Sequence, residues 1–393
     1  MIYKEETVFE EALNRIRWIF DEHEDIIVSM SGGKDSTVVF NLALIVAKEK
    51  NRLPLKVFWL DQEAEWQHTV DYMDWVMRQP EVEPYWYQVP FDFPNNLSQQ
   101  HETLKCWDDE SKDKWIHPLS DIGIHVSPVD VKGQGRDDAF YTLIKKIPAA
   151  ITDKKCAVLV GMRMSESPRR RMSITGRAGQ YKGRTWCTAA IGTTRKFWPI
   201  YDFTDDDIWT AIAKNHWKYN EVYDLMYRWG VQKRDMRVSA LIHETSWHAI
   251  EMLQEFEKDT YNRFVARVAG VSTFNHCFDE GGIIPRTLPF AFRDWKEYRD
   301  YLLIHITKPE HWDLFRKRWK GQDGDDFYKV HVKELILNDT CGTVNENYAW
   351  QQYGKKRLES KYKGADIDKF NKYMEEKAND KRPADIGSSV DTN

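Results

Sequence analysis

Apolar residues recur at helical spacing over 6–21 (Phe9, Leu13, Ile16, Ile19, Phe20), and the chain then passes into the run Ile26-Ile27-Val28, expected as a strand over 26–30. Consecutive glycines break that run, and a helix is predicted over 36–48. A second apolar strand over 55–60 ends at Asp61, a helix over 66–78 is stopped by Pro80, and a third strand is expected over 85–89. After a polar insertion over 91–136, a helix at 137–147 precedes a fourth strand at 157–160. Strands alternating with helices of this size predict an α/β fold, a doubly wound and mostly parallel sheet with ligands at the carboxyl ends of its strands. Beyond 215 the sequence turns rich in aromatic and charged residues, with helical patterns at 238–256 and 261–268. A mainly helical appended domain is therefore expected at 215–358, after an α/β domain at 1–214. A tail at 359–393, dominated by Lys, Asp, Glu, Gly and Ser, is expected to be disordered.

The break after the first strand carries the chemistry. Ser31-Gly32-Gly33-Lys34-Asp35-Ser36 directs backbone amides into one concavity, with the positive end of the following helix behind them. That is an anion site, read as a phosphate site. A Walker A loop is excluded, because Val28 stands where its first glycine belongs and Asp35 where its Ser or Thr belongs. A Rossmann G-x-G-x-x-G is excluded by the adjacency of Gly32 and Gly33.

At 393 residues and 46.6 kDa the chain is long enough for two or so domains with proper cores. The N-terminus, Met1-Ile2-Tyr3-Lys4-Glu5-Glu6, is acidic where a signal peptide is basic, and no stretch approaches membrane-spanning length, so a cytoplasmic protein without a membrane partner is expected. The five cysteines, Cys106, Cys156, Cys187, Cys277 and Cys341, are scattered and suggest neither a disulfide framework nor an iron-sulfur cluster. His243-Glu244-Thr245-Ser246-Trp247-His248 is rejected as a zinc site, since its histidines lie about 140° apart round a helix. A net charge of −5 argues against a nucleic-acid-binding surface over the whole protein. The average hides a polarised stretch over 161–200, where nine basic residues (Arg163, Arg169, Arg170, Arg171, Arg177, Lys182, Arg184, Arg195, Lys196) face one acidic residue, Glu166. This segment is expected to fold over the mouth of the anion site as a lid, or else to dock a protein or nucleic-acid partner.

The pattern S-G-G-x-D-S after a strand resembles the PP-loop of the adenine nucleotide alpha hydrolase superfamily. Three later segments narrow the resemblance to PAPS (phosphoadenosine phosphosulfate) reductases: Val57-Phe58-Trp59-Leu60-Asp61, Gly161-Met162-Arg163-Met164-Ser165-Glu166-Ser167-Pro168-Arg169, and the run from Phe197 to Trp209. In the last, Thr204 with Asp207 three residues on is also a capping box in its own right. The resemblance covers about residues 20–230 and extends to the bacterial and phage immunoglobulin-binding regulator A group, in which an uncharacterised domain is appended. It departs from true reductases at the chemistry, because their E-C-G-x-H nucleophile has no counterpart here and Cys341-Gly342 lacks its flanking Glu and His.

This resemblance implies nucleotide binding by Ser29, Ser31, Gly32, Gly33, Lys34, Asp35, Ser36, Leu60, Asp61, Gly161, Arg163, Ser167 and Arg169. Lys34, Asp35 and Arg163 are the implied catalytic residues, and Asp35 and Asp61 the candidate ligands for Mg2+. Three readings stay open: ATP cleaved between its α and β phosphates, in adenylyl transfer or pyrophosphatase chemistry; PAPS held for reduction or sulfo transfer; and a non-catalytic nucleotide sensor. Related reductases suggest a homodimer.

Overall fold

A computed structural model describes residues 6–98, 101–130, 136–175, 179–233, 236–238, 240–242, 247–271 and 287–340, together with 342, 344, 345 and 348. The side chains of 136–138, 168, 169, 247 and 248 are not described. The rejected histidine pair, Cys277, Cys341, Arg177 and the tail at 359–393 therefore lie wholly or in their side chains outside the described residues.

The alternation of apolar residues along each strand builds the two faces of the sheet. In β1 (Asp25–Ser29), Ile26 and Val28 enter one core and Ile27 the other. β2 (Leu55–Leu60) divides Val57 and Trp59 from Phe58 and Leu60 in the same way. With β3 (Val82–Tyr87), β6 (Cys156–Val160) and β7 (Thr194–Phe197) they form a five-stranded parallel sheet in the order β3-β2-β1-β6-β7. The polar insertion contributes an antiparallel hairpin of its own, β4 (Phe91–Pro94) with β5 (Thr103–Cys106).

Helices α1 (Val8–Glu22), α2 (Lys34–Glu49), α3 (Gln67–Met77) and α6 (Asp205–Lys214) cover the first face, with Ile16, Val39, Met73 and Ile208 in its core. The Thr7/Glu10 and Thr204/Asp207 capping boxes start α1 and α6, the latter as expected. α4 (Arg136–Ile151) covers the second face and runs through Pro148, which has no N–H for the carbonyl of Ile144 one turn earlier. The Lys196 ammonium donates to that carbonyl at 3.0 Å, and burial lowers its pKa to about 8.

The helices beyond 215 divide between two cores. α7 (Val222–Arg228), α8 (Trp247–Phe256) and α9 (Lys258–Arg267) bury Tyr223, Leu253 and Phe264 in the second core of the sheet. The helices Trp295–His305, Trp312–Arg318 and Asp325–Ile336 make a third core around Leu302, Phe315 and Val332. Among the described residues no helix is long and apolar enough to cross a membrane.

The sheet reverses its winding between β1 and β6, whose ends are level because Ser29 pairs with Val160. Both strands end there, at the crevice where open α/β folds hold their ligands.

Candidate functional site

Gly32 makes the turn out of β1 with φ +68°, and a Cβ on it would stand 2.7 Å from Thr69 Cγ2, so only glycine serves. The Asn220 amide donates to the Gly32 carbonyl at 3.2 Å and to Thr69 Oγ1 at 2.9 Å, fixing the turn against α3. The Ser36 hydroxyl donates to the Gly33 carbonyl at 2.9 Å and accepts from the Ser31 amide at 3.3 Å, which ties the loop to the first turn of α2. At that helix start the Lys34 amide donates to Tyr223 Oη at 3.0 Å. No acceptor among the described residues takes the amides of Asp35 and Ser36. Free amides at a helix N-terminus are the donors an anion needs. Burial pushes the Tyr223 hydroxyl well up, so it keeps its proton, and having accepted from Lys34 it can donate that proton to a bound oxyanion. Tyr223 lies outside every motif quoted above and is visible only once the chain has folded.

Behind the loop lies a buried charge cluster. Arg163, 2% exposed, sets Nε 2.7 Å from Asp35 Oδ1 and Nη2 2.8 Å from Asp205 Oδ1, and its Nη1 donates to Ser165 Oγ at 2.9 Å. Burial opposes its charge, but Asp35, Asp205 and Glu166 together outweigh that and raise its pKa. Burial also raises the Asp35 carboxyl, working against the pull of Lys34 and Arg163. Lys34 Nζ sits farther from its partners, 3.4 Å from Asp35 and 3.3 Å from the Met236 carbonyl. The segment after β7 braces this cluster: Asp202 takes both Arg15 Nη atoms at 2.7 and 2.6 Å, and the Phe203 carbonyl accepts from Ser165 at 3.1 Å.

A cavity of about 440 Å³ opens in front of the loop. Ser31, Gly33, Lys34, Ser36, Gly161, Arg170 and Arg237 line it, as do Phe58, Leu60, Gln62, Glu65, Phe93, Phe140 and Ile144. Glu65 is 4% exposed, and burial, reinforced by the negative charge of Asp61, holds its carboxyl well above the usual range. The native state therefore keeps a proton that the unfolded chain releases near its ordinary value of 4.5, so stability falls as pH rises above that point. Glu65→Gln is expected to stabilise the protein at about pH 7, with the gain shrinking to nothing below about pH 4. Urea unfolding of both proteins across that range checks it.

Of the residues expected to bind nucleotide, Ser29, Ser31, Gly33, Lys34, Asp35, Ser36, Leu60 and Gly161 line the cavity, and Gly32 shapes the loop. Arg163 does not line it: its guanidinium is spent on Asp35 and Asp205 rather than turned out as a lid. Ser167 caps the helix α5 (Pro168–Thr175) by accepting from the Arg170 amide at 3.2 Å, and the Arg169 side chain lies outside the described residues. Asp61 is fully buried off the cavity, taking Trp86 Nε1 at 2.9 Å and Gln88 Nε2 at 3.1 Å, with His117 Nε2 at 3.3 Å. A resident Mg2+ on Asp35 and Asp61 does not fit, because one carboxylate is paired with Arg163 and the other is turned into this network. Among the described residues no group of three His, Cys, Asp or Glu side chains could hold a metal.

The basic segment is split. Lys182 pairs with Glu22 at 2.6 Å, Arg184 stacks on Trp18 and Arg195 on Tyr181, all on the α1 side. Arg170, paired with Glu166, lines the cavity, as does Arg237 from beyond α7. Cys106, Cys156 and Cys187 are buried, and burial pushes each thiol up.

Residues 25–229 match the phosphoadenosine phosphosulfate reductase domain. Uncharacterized protein YbdN of Escherichia coli (strain K12) is 28% identical over 318 residues, covering 77% of this chain and 76% of that protein. Among solved structures, the phosphoadenylyl-sulfate reductase of Candida auris in its phosphate complex aligns at 15% identity and a TM-score of 0.32, over 57% of this chain and 93% of that one. The FMN adenylyltransferase of Candida glabrata aligns at 13% identity and a TM-score of 0.32, over 57% of this chain and 62% of that one.

Proposed function

The chain belongs to the phosphoadenosine phosphosulfate reductase domain family, and from that premise we propose that it binds ATP and cleaves it between the α and β phosphates. The observation that carries the reading is the loop: free amides of Asp35 and Ser36, the Lys34 ammonium and the protonated Tyr223 hydroxyl converge where a pyrophosphate leaving group gathers charge. An acceptor oxygen or sulfur forms the new bond to the α phosphorus, the bond to the bridging αβ oxygen breaks, and pyrophosphate leaves with the electron pair. Water as acceptor makes the protein a pyrophosphatase, and any other acceptor makes it an adenylyl transferase. Magnesium enters as part of the substrate, MgATP, held by its phosphates. Catalysis rests on positioning and on charge stabilisation in a partly dry cavity.

Arg170 and Arg237 bring two further cations to the lining of the cavity, so replacing either with alanine is expected to weaken ATP binding about tenfold, the worth of one charge-assisted hydrogen bond. Calorimetry with ATP, ADP, adenosine phosphosulfate and PAPS, with a pyrophosphate-release assay, tests the whole reading. ATP binding with pyrophosphate release supports it. Binding of PAPS but not ATP would move the assignment to the sulfonucleotide class, and ATP binding without turnover in the presence of candidate acceptors would favour a sensor.

A further inference from the structure

One group in the cavity has no work in this scheme. Glu65 lines the cavity, and among the described residues nothing pairs with its carboxyl. Among those same residues no lysine or arginine acts on it, and the charged neighbour that does is Asp61, itself negative. A polar group buried without a partner is costly, and proteins retain one where a ligand supplies the missing bonds.

The turn that presents Glu65 is held from several sides. Glu63 adopts φ +63°, and its carboxylate takes Arg267 Nε at 2.7 Å and the Trp107 amide at 2.8 Å. The Ala64 carbonyl accepts from the Leu241 amide at 2.7 Å, and Glu257 takes the Gln67 amide at 2.7 Å at the start of α3. The backbone that carries Glu65 is therefore held on both sides, which fixes where its side chain departs.

We propose that Glu65 is the specificity-determining residue for the base, its carboxyl pairing with the edge of adenine that bears the 6-amino group. This rests on the nucleotide reading above. With the phosphates on the loop, the uncharged planar part of the ligand is matched by the apolar lining residues Phe58, Phe93 and Phe140 rather than by the cations Lys34, Arg170 and Arg237. Burial keeps Glu65 neutral, so it offers one O–H donor beside one acceptor oxygen. Adenine presents the complement, an amino donor beside a ring-nitrogen acceptor, and two hydrogen bonds form without burying a charge.

The test is calorimetry on the full chain with three probes: ATP, purine riboside triphosphate, which has hydrogen in place of the 6-amino group, and pyrophosphate. The wild type is expected to prefer ATP over the purine analogue by at least about tenfold, since a site built around a hydrogen bond rejects the analogue lacking it. Glu65→Ala should bring that ratio to about one, and Glu65→Gln, which keeps a donor beside an acceptor, should preserve it. Pyrophosphate, which reaches only the loop, reports whether each variant is folded with a competent loop. An unchanged ratio in Glu65→Ala with pyrophosphate still bound would overturn the role of Glu65 and leave nucleotide binding standing, as would a wild type that binds both nucleotides equally. A wild type that binds no nucleotide overturns both readings, and loss of the ratio in Glu65→Gln as well as Glu65→Ala would show that Glu65 does not act as a neutral pair.

Discussion

Gly161→Ala is expected to reduce ATP affinity at least about a hundredfold, the worth of two charge-assisted hydrogen bonds broken together. β6 ends at Val160, and the next residue passes so close to the start of α2 that a Cβ on it would lie 2.6 Å from the Ser36 amide nitrogen and 2.7 Å from the Asp35 carbonyl carbon. Those are backbone atoms, so no side chain can swing aside, and the whole turn that carries the free amides must move. Gly33→Ala provides the contrast. Its Cβ would meet Ser31 Oγ at 3.3 Å and Tyr223 Oη at 3.4 Å, both side-chain atoms able to shift by a few tenths of an ångström, and the expected loss is correspondingly smaller. Titration calorimetry on both variants, with thermal unfolding to establish that each is folded, decides the matter. A Gly161→Ala protein that binds ATP as tightly as wild type would mean that the amides of α2 do not hold the phosphates.

The central strands and the glycine loop after β1 were legible because they rest on local pattern. β1 and β2 read as apolar runs, and the glycines, Lys34 and the Thr204/Asp207 box each declare themselves within a few residues. The edges of the sheet were harder. β3 begins at Val82, earlier than the expected 85, because Pro84 argues against a strand until it is known to sit in an edge strand, where a missing N–H is tolerated. β7 reads Thr-Arg-Lys-Phe, and its two central charges hide a strand until Arg195 is seen on Tyr181 and Lys196 under the Ile144 carbonyl. The site divides the same way. Residues of the loop line the cavity as their spacing implies, whereas Arg163, Asp61, Tyr223 and Glu65 take their roles from partners far along the chain, which periodicity cannot report. An arginine that follows a strand at the ligand edge reads as a ligand contact, and here burial between two carboxylates overrides that reading.

Removing Arg163 should therefore act first on stability. Among the described residues, Arg163→Ala leaves Asp35, a carboxylate on the first turn of α2, with only Lys34 at 3.4 Å, and it leaves Asp205 with Lys34 at 3.8 Å. Deleting one partner of a buried pair costs about 3–5 kcal/mol, because the surviving charge is stranded out of water. Arg163→Lys is not expected to rescue it, since a single ammonium cannot meet Asp35, Asp205 and Ser165 as the separate Nε, Nη2 and Nη1 atoms of the guanidinium do. Asp35→Asn combined with Arg163→Met should recover much of the loss by removing both charges at once, which is the signature separating a buried ion pair from a ligand contact. Equilibrium urea unfolding of the single and double variants measures each value. If Arg163→Ala proves as stable as wild type while its ATP affinity alone collapses, the arginine faces the ligand after all, and the cluster behind the loop does not hold the loop in shape.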